Sequence, residues 1–228
     1  MTVQAVQAQT SKQTITNLLV TMGLKVDKAV AQAITALLQS HTHVPAGLME
    51  NVVAIQELET TIAQAVFSAL ESGELLPSEI HQVTSVINIS KDLAHLSKLA
   101  ANLGRKVSHV GEHSEQEDFS RLQPLAIAAS HLCRQALQSL TRLDPVLARN
   151  AAAGSASVDA YRDYVFRGQR GSAALTNDEQ KAHLIYASRC LEQIADHAID
   201  LAENLVIFLG YSPAPMPCHP GSRQQIAS

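Results

Sequence analysis

Long stretches in which apolar residues recur every three or four positions dominate the sequence, with prolines and glycines near their ends. That period is typical of α-helices, which Pro and Gly often delimit. The pattern predicts an all-α fold with six helices, at about residues 11–40, 46–72, 78–110, 115–142, 145–169 and 177–210. Apparent capping boxes at 114–117 and 176–179 begin the fourth and sixth. Helices of about 25 to 33 residues are typical of bundles.

The third predicted helix repeats in the sixth, 98 positions later. The identical pairs are Ile87 and Ile185, Ser90 and Ser188, Leu93 and Leu191, and Ala100 and Ala198. A repeat of this size predicts two pseudo-symmetric three-helix bundles side by side, at residues 11–110 and 115–210. The remaining residues, 211–228, are rich in proline and polar residues and are expected to form a flexible tail.

Composition excludes several classes of function. A formal net charge of -4 gives no electrostatic reason to bind nucleic acid. The sequence contains neither a secretory signal nor an apolar run of about 18 residues, so we expect a cytoplasmic protein that does not enter the membrane. Its three cysteines are far apart and are expected to be free thiols. No nucleophile triad or phosphate-binding loop is recognisable, and no enzyme is predicted.

The last predicted helix carries two stripes. Its apolar stripe consists of Leu191, Ile194, Ala195, Ala198, Leu201, Ala202 and Leu205. Its acidic stripe consists of Glu192, Asp196, Asp200 and Glu203, which recur one turn apart and repel one another in water. Such a stripe is either a solvated surface or a site for a cation, and periodicity alone leaves both readings open.

A second pattern, Asp92-x-x-His95, has the spacing of the Glu-x-x-His ligands of di-iron bundles. The equivalent positions in the second repeat are Cys190 and Gln193, which do not complete such a site. A ferritin-like iron centre is therefore not predicted.

The segment from Ser188 to Gly210 resembles the C-terminal signature of the PhoU family of phosphate-uptake regulators. The similarity extends to Thr21-Met22-Gly23, to Ile89-Ser90-Lys91-Asp92-Leu93 and to the turn at 144–148. The resemblance implies two three-helix bundles, in agreement with the repeat. It also implies binding of iron, zinc or other divalent ions by carboxylates from two helices of each bundle.

Carried over to this chain, the implied metal ligands are present in the second repeat only. They are Asp159, Asp163, Glu192, Asp196, Asp200 and Glu203, with iron, zinc or magnesium as the expected ion. His197 would orient one of these carboxylates or make a purely structural hydrogen bond. The equivalent residues of the last helix of the first repeat are Ala94, Lys98, Asn102 and Arg105, so no metal is expected there.

By resemblance, the function expected is non-enzymatic regulation of phosphate uptake and phosphate-starvation signalling. The implied partners are the cytosolic ATPase of a phosphate ABC transporter and a sensor histidine kinase, and a homodimer is expected. Lys98 and Arg105 form a basic stripe that could dock on a partner. The alternatives are a metal-storage protein or metal-dependent enzyme, and an accessory protein of a low-affinity phosphate permease.

Overall fold

A computed structural model describes residues 3–39, 43–71, 80–110, 122–154 and 178–210. These residues form six helices and contain no strand, which confirms the all-α prediction. We number the helices in chain order: α1 Val3–Leu38, α2 Leu48–Glu71, α3 Ile80–Val110, α4 Gln123–Arg142, α5 Pro145–Ala152 and α6 Asp178–Phe208. None of them carries a stretch apolar enough, and low enough in charge, to cross a bilayer.

Three helix boundaries differ from the predicted ones by more than two residues. Helix α1 begins at Val3 and not near residue 11, because residues 3–10 are rich in Gln and Ala and contain no Pro or Gly to stop a helix. Helix α4 begins only at Gln123, with Pro124 in its first turn, where a missing N–H costs least. Helix α5, expected to continue to residue 169, ends at Ala152. The capping box predicted at 114–117 lies outside the described residues.

The end of α5 has a local physical reason. The Gly154 N–H donates to the carbonyl of Ala151 at 3.0 Å, which is a tighter turn than the helical one. A Cβ atom at Gly154 would lie 2.7 Å from the Leu132 Cδ1 atom, so a larger residue here would require the Leu132 side chain of α4 to move. Residues 155–177, with Asp159 and Asp163, lie outside the described part of the chain.

The helices pack in two groups of three. Helices α1, α2 and α3 contact one another, and so do α4, α5 and α6. The groups meet through α3 against α6 and through α1 against α4, and one continuous core includes side chains from all six helices. The division into domains at residues 110–115, like the flexibility of residues 211–228, stays a prediction.

Repeat-related residues have matching environments. Leu93 and Leu191 are both fully buried, as are Ala100 and Ala198. The equivalent serines also make equivalent bonds. The Ser90 hydroxyl donates to the Ile87 carbonyl at 2.9 Å, and the Ser188 hydroxyl donates to the Ile185 carbonyl at 3.1 Å. Helices α3 and α6 are therefore alike in the sides that they bury, and they differ mainly in their polar residues.

Candidate polar site between helices α3 and α6

The contact between α3 and α6 contains a group of polar side chains at the edge of the apolar core. Asp92 lies on α3, and His197, Asp200 and Asn204 lie at intervals of three and four residues on α6. This spacing places the three α6 residues on one side of their helix. The buried neighbours Leu93 and the α6 apolar stripe hold the two helices together, so the polar residues meet at a fixed position.

The two helices run antiparallel through the site. Asn88 of α3 contacts Asn204, whereas His95, two turns further along α3, contacts His197. Residue numbers thus rise along one helix as they fall along the other. Asp92, between these two positions, is bonded to both His197 and Asn204.

Asp92 is the centre of the hydrogen-bond network. It is only 9% exposed, and each of its carboxylate oxygens has a partner. Nδ1 of His197 lies 3.1 Å from Oδ1, and Nδ2 of Asn204 donates to Oδ2 at 3.2 Å. Because a carboxylate only accepts, the hydrogen bond with His197 requires a proton on Nδ1. The network therefore fixes Asp92 and selects one form of the imidazole.

Three further contacts support this arrangement. The Asn204 amide also donates to the Asp200 carbonyl at 2.9 Å, and its oxygen accepts a long bond of 3.4 Å from Asn88. The rings of His95 and His197 are stacked, with centroids 4.9 Å apart and an interplanar angle of 5°. The orientation of the His197 ring is thus set both at its edge and on its face.

The electrostatics of the site follow from this crowding. The hydrogen bond to Asp92 raises the pKa of His197, with further contributions from the charges of Asp92 and Asp200, against an opposing effect of burial. Burial, and then the charge of Asp92, raises the pKa of Asp200. Two carboxylates thus compete for one imidazole, so the site favours added positive charge.

The structure brings together only part of the predicted metal site. Within the described ranges, Asp92, His197 and Asp200 are the group of three whose potential ligand atoms all lie within 4.8 Å of one another. The other predicted α6 ligands do not belong to that group. Asp196 is exposed, and Glu192 and Glu203 are partly exposed.

Asp92 belongs to the converging group but is not among the metal ligands predicted from the sequence. The Asp92-x-x-His95 pattern is local, and the 98-residue repeat relates it to Cys190 and Gln193, which cannot complete a metal site. In the structure its partners come from the antiparallel helix instead. One feature of the sequence indicates that Asp92 has a polar partner. It lies directly beside the core residue Leu93, and an aspartate that is nearly buried needs a hydrogen-bond partner.

In the first repeat, the four residues equivalent to the acidic stripe of α6 include no carboxylate. Ala94 is buried, Lys98 and Arg105 are exposed, and the Arg105 Nη2 atom donates to the Asn102 side chain at 2.6 Å. Lys91 is also exposed, seven residues before Lys98, so the outer side of α3 carries three cations at intervals of seven.

Known proteins share this fold. No protein family model matches the chain. The crystal structure of PhoU from Pseudomonas aeruginosa superposes with a TM-score of 0.80 at 23% identity, covering 88% of this chain and 97% of that one. The phosphate transport system regulatory protein PhoU from Streptococcus pneumoniae gives a TM-score of 0.73 at 16% identity, covering 90% and 96%. The fold is therefore that of the PhoU proteins.

Sequence similarity points to the same class. A phosphate-specific transport system accessory protein PhoU homolog from Pseudomonas putida is 25% identical over 196 residues, which are 84% of this chain and 75% of the relative. The homolog of the same name from Pseudomonas aeruginosa is 25% identical over 197 residues, with coverage of 84% and 80%. In sequence and in fold the chain is therefore similar to PhoU proteins, in agreement with the resemblance of its last helix.

Proposed function

We propose that this chain is a non-enzymatic accessory protein of a phosphate transport system, with a regulatory role in phosphate uptake and phosphate-starvation signalling. The observation that carries the proposal is the sequence similarity, over 84% of the chain, to proteins named for that role. The shared fold is consistent with it, since packed helices offer long rigid faces for docking.

The proposed partners are the cytosolic ATPase of a phosphate ABC transporter and a sensor histidine kinase. The proposed location is accordingly the cytoplasm, at the inner face of the membrane. Exposed Lys98 and Arg105 on α3 are our proposed docking residues. Charged residues at the rim of an interface chiefly set the association rate and its salt dependence.

The experiment is co-purification from cells of the source organism, together with phosphate uptake in a strain that lacks the chain. We expect capture of the ATPase or the kinase, and altered uptake or signalling in the deletion strain. Normal uptake and signalling in that strain, with neither partner captured, would contradict the proposal.

The docking residues need a charge-matched comparison. We expect Lys98→Asp with Arg105→Glu to weaken capture while leaving helicity unchanged, because both side chains are exposed. The control is Lys28→Asp with Arg142→Glu, which changes the net charge equally at exposed positions of α1 and α4. Equal capture by the two double variants would show that the α3 stripe has no specific role.

A homodimer remains part of the proposal. Two large apolar side chains of α2, Val53 and Phe67, are 53% and 61% exposed and lie on the same side of the helix, 14 residues apart. Sedimentation equilibrium tests the dimer, and a strict monomer at micromolar concentration would rule it out.

The metal that the resemblance implies fits the described residues only in part. Asp200 and His197 take part in a converging group, whereas Glu192, Asp196 and Glu203 do not join it. Asp159 and Asp163, outside the described residues, stay predicted ligands. A divalent cation held at Asp200 would supply positive charge to a locally acidic contact between helices.

A further inference from the structure

We propose that Asp92, His197 and Asp200 bind one divalent transition-metal ion, of the zinc class, across the contact between α3 and α6. This site differs from the predicted carboxylate stripe because it uses a buried residue of the first repeat and an imidazole. The proposal concerns metal binding by the isolated chain, and it does not rest on the proposed role in phosphate transport.

The distance between the first two donors suits an ion. Oδ1 of Asp92 and Nδ1 of His197 are 3.1 Å apart. Tetrahedral zinc, with bonds of about 2.0 to 2.1 Å, separates neighbouring ligand atoms by about 3.3 Å. An ion can therefore replace the shared proton with little movement of either helix.

The third donor is within reach. An oxygen of Asp200 lies within 4.8 Å of both other ligand atoms, and the Asp200 side chain is exposed. Rotation of an exposed side chain can bring its carboxylate closer without repacking the core. The mixture of one imidazole and two carboxylates suits zinc or iron better than magnesium, which prefers oxygen ligands and keeps its waters.

The residues around the donors already hold them in place. Asn204 donates to the second oxygen of Asp92 and to the backbone carbonyl of Asp200. His95 stacks against the His197 ring. Hydrogen bonds and packing of this kind orient metal ligands and reduce the ordering cost of binding.

Charge also favours an ion here. Two carboxylates and a neutral imidazole carry a charge of -2, which one divalent ion cancels. Asp92 is nearly buried, and an oxygen of Asp200 lies within 4.8 Å of its ligand oxygen, so the two carboxylates repel each other. Neutralising a partly buried pair of like charges removes that repulsion.

The chain contains an internal comparison. Applying the 98-residue repeat to the site gives Cys190 for Asp92, Leu99 for His197 and Asn102 for Asp200. The Leu99 side chain offers no ligand atom, so this set of residues lacks the imidazole donor that His197 supplies. The repeat-related position is therefore not expected to bind, and the site predicts one ion per chain rather than two.

The test uses the full-length chain without a histidine tag, treated with EDTA and dialysed. Titration with zinc chloride by calorimetry gives the stoichiometry and affinity. The visible spectrum of the cobalt(II)-substituted protein reports the coordination. We expect one zinc per chain, weakened at least about tenfold by His197→Gln or by Asp200→Asn.

Two matched variants act as controls on the same helix. Asp196→Asn and Glu203→Gln remove carboxylates of the predicted stripe that lie outside the converging group. We expect both to keep the affinity and the cobalt spectrum of the natural sequence.

Asp92→Asn removes the third proposed ligand, so it should weaken zinc binding as His197→Gln and Asp200→Asn do.

Three results would overturn the proposal. They are no zinc binding at micromolar concentration, unchanged binding in both His197→Gln and Asp200→Asn, and loss of binding in Asp196→Asn alone. The first result would assign the Asp92–His197 contact to structure only, and the last would assign the metal to the exposed stripe. If Asp92→Asn fails to fold, the exposed Asp200 still gives a decisive variant.

Discussion

Replacing Asp92 by alanine measures how strongly the polar site ties α3 to α6. The change removes an acceptor of one hydrogen bond from His197 and one from Asn204. Both bonds end on the charged carboxylate, and a hydrogen bond to a charged group contributes about 1.5 to 3 kcal/mol, so the two together contribute about 3 to 6 kcal/mol. Two effects oppose this sum. Solvent screens the partly exposed His197, and the repulsion of Asp200 by Asp92 disappears.

We therefore expect Asp92→Ala to lower the free energy of unfolding by about 2 kcal/mol, somewhat below that sum because both opposing effects reduce it. The assay is urea unfolding of the full chain followed by circular dichroism, with EDTA present to exclude metals. A pH near 6 keeps the imidazole charged, since its pKa is raised above 6.5. The control is Asp196→Ala, an exposed carboxylate on α6 that should change stability by less than about 0.5 kcal/mol. Equal unfolding midpoints for the two variants would refute the reasoning.

The remaining predictions concern the repeat, a thiol and a helix cap. Leu93→Ala and Leu191→Ala, at fully buried equivalent positions, should each cost about 2 to 5 kcal/mol in chemical denaturation, and a large cost for only one would contradict equivalent packing. Burial raises the pKa of Cys133 from 9.0 to about 12, so we expect a mass-spectrometric alkylation assay at pH 8 to find it unmodified until the chain unfolds. The unfolded thiol ionises first, so the stability that Cys133 contributes is intact below pH 9.0 and falls as the pH rises towards about 12 in a melting series. Asp144→Ala removes the cap that accepts from the amides of Val146 at 2.8 Å and Leu147 at 3.2 Å, and thermal melting should show a loss of about 1 kcal/mol.

The sequence predicted the buried side of α6 well because periodicity alone determines it. All seven residues of its apolar stripe, from Leu191 to Leu205, are fully buried. Boundaries were less predictable where composition gives weak signals. Helix α5 ends at Ala152, and the close approach of Gly154 to Leu132 of α4 just after it is a contact between distant residues that no local sequence pattern predicts.

Two glycines show the same limit inside helices. A Cβ atom at Gly23 of α1 would lie 2.8 Å from Leu140 of α4, and one at Gly104 of α3 would lie 2.7 Å from Leu48 of α2. Neither glycine ends its helix. Both allow close helix packing, so a rule that treats glycine as a terminator fails where tertiary contact outweighs helix propensity.

Only the α6 residues of the candidate site could be predicted from the sequence. Asp200 and His197 could be identified on α6, because their spacing and their resemblance to a signature are local properties. Their pairing with Asp92 depends on the antiparallel register of two helices about 105 residues apart in sequence. Spacing within one helix contains no information about that register, which the apolar packing determines.

The repeat explains why a mixed site can form at this contact. In an antiparallel pair of repeat-related helices, each cross-contact has a partner contact related by the repeat, and the two can diverge in sequence independently. Here Asp92 faces His197, whereas the repeat-related pair is Cys190 and Leu99. The apolar stripes stayed alike because both copies must fill one continuous core. The polar positions at its edge are free of that constraint, so one contact can gain ion ligands while the other loses them without altering the packing that holds both.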